Sequence, residues 1–407
     1  MVLLEVSSSA LVSLFVIAVA AAIAPLLTSL VRGRVPDVVW LLALGVLIGP
    51  SALGWATAGE GVDMVRQIGL GLLFLLAGYE MEPRPLARRA GRSAAWLWLL
   101  CLAVGFGLVY LVVPGAEWKV AAALAICLCS TALGTLLPII KTTGESDSPL
   151  GRAVLLHGAM GELGPVIAMS LLLSSKGALH SSLVLLAFAA ATVAAAAVPR
   201  RIVEKLPWVG RAIDAGANTT AQTTLRFIFA LLTGLMALSA VFELDVVLGA
   251  FAAGVVVRAL TPDDEHLLER KLEVLAFSFL VPVFFVTSGM AIQVDAVAAR
   301  PWLLVGFVAM IVVARGLPVF LGEKLFDTGS GLASDRDRVR LGLYSATGLP
   351  IIVAVTELAT SQGLMPSDIA SVLVASGAAT VLLFPLLASL IGGRGAAGEA
   401  ERVREET

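Results

Sequence analysis

Residues 129–140, "CSTALGTLLPII", and residues 344–352, "YSATGLPII", carry one pattern at two places in the chain. In the first, Ser130 and Thr131 precede Gly134 and Pro138; in the second, Ser345 and Thr347 precede Gly348 and Pro350. Each pattern lies near the middle of an apolar stretch of membrane-crossing length. Gly and Pro weaken a helix there, and the carbonyls and amides they free must be buried in protein or line a polar cavity. Two interrupted helices are therefore expected, with hydroxyls at the breaks and half-helix ends that carry partial charge suited to an ion.

Two weaker matches lie at nearly the same separation. "LLALGVLIGP" aligns Gly45 with Gly254 of "AFAAGVVVRA", and "LFLLAGYEM" aligns Phe74 and Gly78 with Phe285 and Gly289 of "FFVTSGMAI". The offset carries a segment forward by seven spans. Seven is odd, so the two copies cross the membrane in opposite directions, an inverted-topology repeat covering roughly 36–174 and 243–391.

The composition places the whole chain in a bilayer. Its 407 residues are 58% hydrophobic and 14% charged, against about 25% charged in a soluble protein. Thirteen spans are expected, at 8–30, 36–56, 61–80, 92–114, 118–141, 149–174, 178–198, 221–241, 243–260, 272–292, 302–323, 338–362 and 366–391, each about 20 residues or more and able to cross a hydrocarbon core of about 30 Å. They form one membrane domain, 1–391, followed by a short polar tail, 392–407. The first span has no Lys or Arg before it and is too long for a secretory signal, so it is expected to stay.

Basic residues orient the spans. With the N-terminus outside and the C-terminus inside, 22 of the 28 Lys and Arg fall in cytoplasmic loops or at the cytoplasmic ends of spans, three at the outer side, and the other three, Arg66, Arg226 and Arg315, lie elsewhere within spans, as the positive-inside rule requires.

Glu162 stands at the midpoint of the sixth span, between Gly161 and the pair Gly164-Pro165. An ionised carboxylate at that depth costs at least about 2.5 kcal/mol and marks a functional site. Balanced between desolvation and nearby positive charge, it can exchange a proton for a metal cation. Arg315, near the middle of the eleventh span, is the charge partner; it either holds Glu162 or hydrogen-bonds the carbonyls of the broken helices. His157, five residues before Glu162, titrates in the physiological range and is the candidate pH sensor, with helix packing as its plainer role.

Other chemistry is not indicated. Cys101, Cys127 and Cys129 all lie within spans and the three histidines are scattered, so neither a disulfide framework nor a zinc site is expected. No nucleophile is paired with a base within the spans, which argues against an enzyme. No cofactor motif or nucleic-acid site stands out, and the basic loops are accounted for by topology.

"LLFLLAGYEME", "STALGTLLPIIKTTGE", "LGAFAAGVVV", "PVFFVTSGMAI" and "ATGLPIIVAV", in this order and spacing, resemble the membrane domain of the monovalent cation:proton antiporter-2 family, which includes Kef-type exchangers. The resemblance covers nearly the whole chain. It implies an all-α, thirteen-helix homodimer in the plasma membrane, with a dimerisation part and a core part in which two broken helices cross near the ion site. It also implies exchange of sodium or potassium for protons by alternating access. Gly161-Glu162 stands where the family usually has Gln-Asp or two Asp residues, and Arg315 falls in the core helix that commonly carries a Lys or Arg. The chain ends soon after the last span, so the cytosolic nucleotide-binding domain of many Kef-type relatives is not expected.

One titratable carboxylate beside a permanently charged arginine suggests electroneutral, one-for-one exchange. Ser130, Thr131, Ser345 and Thr347 are the expected oxygen donors to the cation, alongside Gly161 and Glu162; hard alkali cations prefer such ligands. A channel or symporter on the same core, uncoupled from protons, is one alternative. A membrane sensor or assembly partner that does not transport is another.

Overall fold

The computed structural model describes residues 2–31, 35–81, 88–142, 145–146, 148–173, 183–194, 197, 222–242, 244–261 and 266–392. Among these the regular structure is helical. In chain order the helices are α1 (Val2–Leu30), α2 (Asp37–Ile48), α3 (Glu60–Tyr79), α4 (Arg89–Val112), α5 (Trp118–Leu128), α6 (Leu133–Thr142) and α7 (Pro149–Leu172). Next come α8 (Leu183–Ala194), α9 (Thr223–Val241), α10 (Val246–Leu260), α11 (His266–Leu275), α12 (Val281–Met290), α13 (Val294–Ala299) and α14 (Pro301–Ile311). The last four are α15 (Leu317–Leu325), α16 (Asp335–Ser345), α17 (Pro350–Ser361) and α18 (Ser367–Gly392). Single π-type turns, Ala276–Leu280 and Val312–Gly316, join α11 to α12 and α14 to α15.

Ten described helical segments are long and apolar enough to cross a membrane. Each coincides with one of the expected spans. The remaining three expected spans overlap the shorter apolar helices α2, α8 and α10, so that among the described residues ten helical segments, not thirteen, have crossing length. The polar tail falls mostly outside the described residues.

Helix ends follow local chemistry. The Asp245 side chain accepts the Val247 N–H at 2.8 Å and starts α10, and the Ser334 hydroxyl accepts the Arg336 N–H at 3.1 Å and starts α16, each meeting one of the unpaired amides of a first turn. Pro350 opens α17 at a position where its missing N–H is not needed and its fixed φ suits the helix.

The chain divides into two compact units, one of Met1–Ala58, Pro83–Met169 and Phe285–Thr407, the other of Gly59–Glu82 and Ser170–Phe284. Within the first, α2 and α12 cross with backbones in contact. A side-chain carbon at Gly45 would overlap the carbonyl oxygen of Val286, and one at Gly289 that of Leu42. Within the second, α3 and α10 cross the same way: a carbon at Gly254 would overlap Leu75 O, and one at Gly78 would overlap Phe251 O. Where lipid tails are as apolar as side chains, such small-residue contacts supply the van der Waals packing that joins helices.

Both expected interruptions lie in the first unit. The first separates α5 from α6 over residues 129–132, and the second separates α16 from α17 over residues 346–349. Gly348 lies in the second break. Gly134 and Pro138, expected at the first, instead lie beyond it inside α6. The break there falls on Cys129–Ala132, where side chains from neighbouring helices take up the freed backbone groups, so no proline is needed to open it.

Candidate functional site

The two breaks meet each other. The Ala132 N–H donates to Thr347 O at 2.7 Å, and the Thr131 hydroxyl donates to Ser345 O at 2.6 Å. A side-chain carbon on Gly348 would come within 2.7 Å of Ser130 Oγ, so the second break must carry glycine to approach the first. Two crossing broken helices are thus built from the residues that the sequence pattern singled out.

Helix α7 passes beside the first break and contributes Glu162, which is 5% exposed. Its Oε1 accepts the N–H of Leu133 at 2.8 Å, at the opening residue of α6. That amide is one of the four that a helix start leaves without an internal partner, and it lies at the positive end of the helix dipole. The carboxylate therefore receives a hydrogen bond and a favourable field from the half-helix, without needing a direct ion pair for this contact. One residue earlier on α7, Gly161 O accepts the N–H of Thr131 at 2.9 Å.

Arg315 is fully buried and sits in the π-type turn between α14 and α15. Gly316 beside it faces Gly342 of α16, where an added carbon would lie 2.9 Å from Gly316 O; this close crossing seats the turn near the breaks. The guanidinium donates through Nε to Thr131 Oγ1 at 3.2 Å, through Nη2 to His157 O at 2.7 Å and through Nη1 to Cys101 Sγ at 3.6 Å. These three bonds tie it to the hydroxyl of the first break, to α7 and to α4; none of the three goes to a carbonyl of a broken helix. A side-chain carbon on Gly161 would overlap Thr131 Oγ1 and come within 2.9 Å of Arg315 Nη2. Glycine at 161 thus makes room first for the Thr131 side chain and then for the edge of the guanidinium.

The hydroxyls have separate fates. Ser130 donates to Cys127 O at 2.9 Å, and Thr347 to Leu343 O at 3.2 Å. Thr131 bridges Arg315 and Ser345 O. The Ser345 hydroxyl is buried and finds no partner among the described residues. His157 is also buried, at 2% exposure, and its ring faces Glu323 at 3.2 Å rather than Glu162. Its Nδ1 is buried with no partner among the described residues.

Three contributors escaped the sequence reading. Trp98 of α4 donates its indole N–H to Cys129 O at 3.1 Å, and its ring lies where a side chain at Gly164 would be. Thr380 of α18 accepts the Gly348 N–H at 3.2 Å; its hydroxyl also lies 3.2 Å from Gly348 O and 2.7 Å from Gly377 O. Glu323, near the end of α15, is 5% exposed. For Trp98 and Thr380 no signal stood out, since both belong to residue types common in membrane helices. Glu323 did leave one: an acid on the last turn of a span, preceded by glycine.

Comparison with known proteins bears on the family and the fold. Residues 17–390 match the family described as sodium/hydrogen exchanger, transmembrane. The chain is 26% identical over 390 residues to the Na(+)/H(+)-K(+) antiporter GerN of Bacillus cereus, spanning 91% of this chain and 94% of that one. It is 28% identical over 312 residues to the glutathione-regulated potassium-efflux system protein KefC of Klebsiella pneumoniae, spanning 73% of this chain and 48% of the relative. Its fold is similar to that of the sodium proton antiporter MjNhaP1 from Methanocaldococcus jannaschii, with a TM-score of 0.64 at 18% identity over 94% of this chain and 97% of that one.

Proposed function

The chain belongs to the transmembrane sodium/hydrogen exchanger family, and from that premise we propose that it exchanges one monovalent cation, sodium or potassium, for one proton, with Glu162 as the group that both share. One observation carries the assignment of the site: a buried carboxylate accepts the first amide of a half-helix where two broken helices cross.

The exchange follows from the charge at that point. Ionised Glu162 is held by the Leu133 N–H and can bind an incoming cation; protonated Glu162 no longer offers a full charge, and the cation leaves. The carboxylate thus holds one or the other. Oxygens of the breaks complete a hard-cation site, and among the described residues the Ser345 hydroxyl finds no protein partner, unlike those of Ser130, Thr131 and Thr347. Arg315 keeps its charge throughout and does not carry the transported proton. Its part is to hold Thr131 and His157 in place and to add fixed positive charge near the carboxylate. One titrating group on each cycle gives electroneutral, one-for-one exchange.

Alternating access requires that Glu162 meet water from one side at a time. The resemblance to the antiporter family and the charge asymmetry of the loops support a plasma-membrane homodimer with its N-terminus outside and C-terminus in the cytoplasm. Matches between residues 36–174 and 243–391, and the identical use of glycine at the two helix crossings, support two inverted copies of one ancestral unit.

The test is proton flux in proteoliposomes under an imposed pH gradient, with sodium, potassium or a large organic cation added, for wild type and Glu162→Gln. Dissipation by one alkali cation and its loss in the variant is the expected result. Wild-type exchange surviving in Glu162→Gln overturns the site; flux that ignores the pH gradient favours a channel or symporter.

A further inference from the structure

His157 and Glu323 form a buried acid–base contact away from Glu162. The ring Nε2 lies 3.2 Å from Glu323 Oε1, and both side chains are at most 3% exposed. The other carboxylate oxygen accepts hydroxyl hydrogen bonds from Thr328 at 2.7 Å and Ser330 at 2.5 Å. These two residues belong to the loop after α15, which folds back over the carboxylate: the Ser330 N–H reaches Thr328 Oγ1 at 3.3 Å, and Gly329 takes a left-handed φ of 79° to allow it. Arg89 of α4 ties the loop down through the carbonyl of Asp327 at 2.8 Å.

The atoms specify where a proton can go. A carboxylate oxygen only accepts, so with Glu323 ionised the hydrogen of a neutral ring sits on Nε2. That leaves Nδ1 as the vacant base, buried and with no partner among the described residues. The charged groups that face the ring are Glu323 and the guanidinium of Arg315. Those around the loop, Asp327 with Arg89 and Lys324 with Asp335, pair with each other at the exposed surface.

We propose that His157 and Glu323 together form a second proton-binding site, separate from Glu162, whose occupancy sets the pH range of exchange. Uptake adds a proton from water to Nδ1, turning a neutral ring beside a carboxylate into an imidazolium–carboxylate pair; release returns the proton to water. Residue 157 also provides the connection to the crossing. Its carbonyl accepts Arg315 Nη2 at 2.7 Å, and Arg315 Nε holds the Thr131 hydroxyl. A ring that turns to give a new Nδ1–H an acceptor acts on the same residue that anchors the guanidinium.

The pH-setting role rests on the exchange reading, but the proton site can be measured without it. The chain has three histidines, so histidine-labelled protein in micelles yields few ring signals, and His157→Gln identifies the relevant one by its disappearance. The midpoint of that signal is expected to move to lower pH by about one unit or more in Glu323→Gln, which removes the counter-charge. The double variant Thr328→Val with Ser330→Ala strips hydroxyl donors from the carboxylate and is expected to move the midpoint the other way; it serves also if Glu323→Gln does not fold. In proteoliposomes the pH profile of exchange, scaled to each variant's own maximum, is expected to shift in the same directions. A His157 signal that does not titrate, or that ignores both changes, overturns the proton site. Titration that moves while the exchange profile stays fixed overturns its control of transport. A protein whose His157 midpoint moves as expected but which shows no exchange under any cation instead sinks the antiport reading and leaves the proton site standing.

Discussion

The two broken spans meet through their backbones, yet they are held open by different chemistry. At the first break the freed groups go to Glu162, to Gly161 O and to the indole of Trp98, with Arg315 bonded to Thr131. At the second, Gly348 is held by the hydroxyl of Thr380, a neutral group. The charged groups gather at the first break, Glu162 from α7 and Arg315 from the turn between α14 and α15, while the second break is held by neutral carbonyl and hydroxyl groups. Two breaks can therefore be alike in backbone and one-sided in chemistry: the backbone sets where the helices part, and the side chains beside one break decide what can bind there.

Substitutions can break this contrast in graded fashion. The largest effect is expected from Glu162→Gln, with exchange falling to that of protein-free liposomes while the protein still elutes as a folded species on size exclusion. Next is Arg315→Gln, which leaves Thr131 Oγ1, His157 O and Cys101 Sγ without the donor they share; a loss of about 3 kcal/mol in stability is expected, read as a lower melting temperature, together with most of the exchange. Gly161→Ala tests the same contact from the other side. Its added carbon meets Thr131 and Arg315, and a cost of about 1–3 kcal/mol with a clear fall in exchange is expected.

Effects at the second break should be smaller in transport than in stability. Thr380→Val removes the acceptor of the Gly348 amide and should cost about 1–3 kcal/mol, with exchange at its optimum reduced less than in Gly161→Ala. Trp98→Phe keeps a ring over Gly164 and removes one hydrogen bond; about 1 kcal/mol is expected, detectable by thermal shift with exchange retained. If Thr380→Val abolished exchange while Gly161→Ala spared it, the assignment of the chemistry to the first break would be reversed.

The helical architecture and the two breaks were legible because their signals are local. Apolar length marks a span, and glycine with proline between hydroxyl residues marks an interruption. Glu162 was legible because a carboxylate in an apolar run has few bland explanations. What it touches was not, since the Leu133 amide is a backbone group that no side-chain pattern records. The position of the first break was displaced for a related reason: Pro138 and Gly134 are visible in the sequence, but the break forms where Glu162, Gly161 and Trp98 converge, and convergence of distant segments leaves no local trace. Arg315 was found by type, whereas its bonds to a hydroxyl, a carbonyl and a thiol depend on four helices meeting. Glu323 was passed over because a charged residue at a span end has an ordinary interfacial role, and only the loop folding back over it makes it interior.

The π-type turn that carries Arg315 holds one residue more than an α-helical path through the same distance would need. Because successive residues on a helix are about 100° apart, deleting a single residue such as Val313 would restore an even helix and swing the arginine away from Thr131, though no residue type had changed. The placement of this charge is thus encoded in chain length. A relative that lacked the extra residue could keep an arginine in the aligned column and still point it elsewhere, so insertions and deletions in this helix are where divergence in the site should be sought.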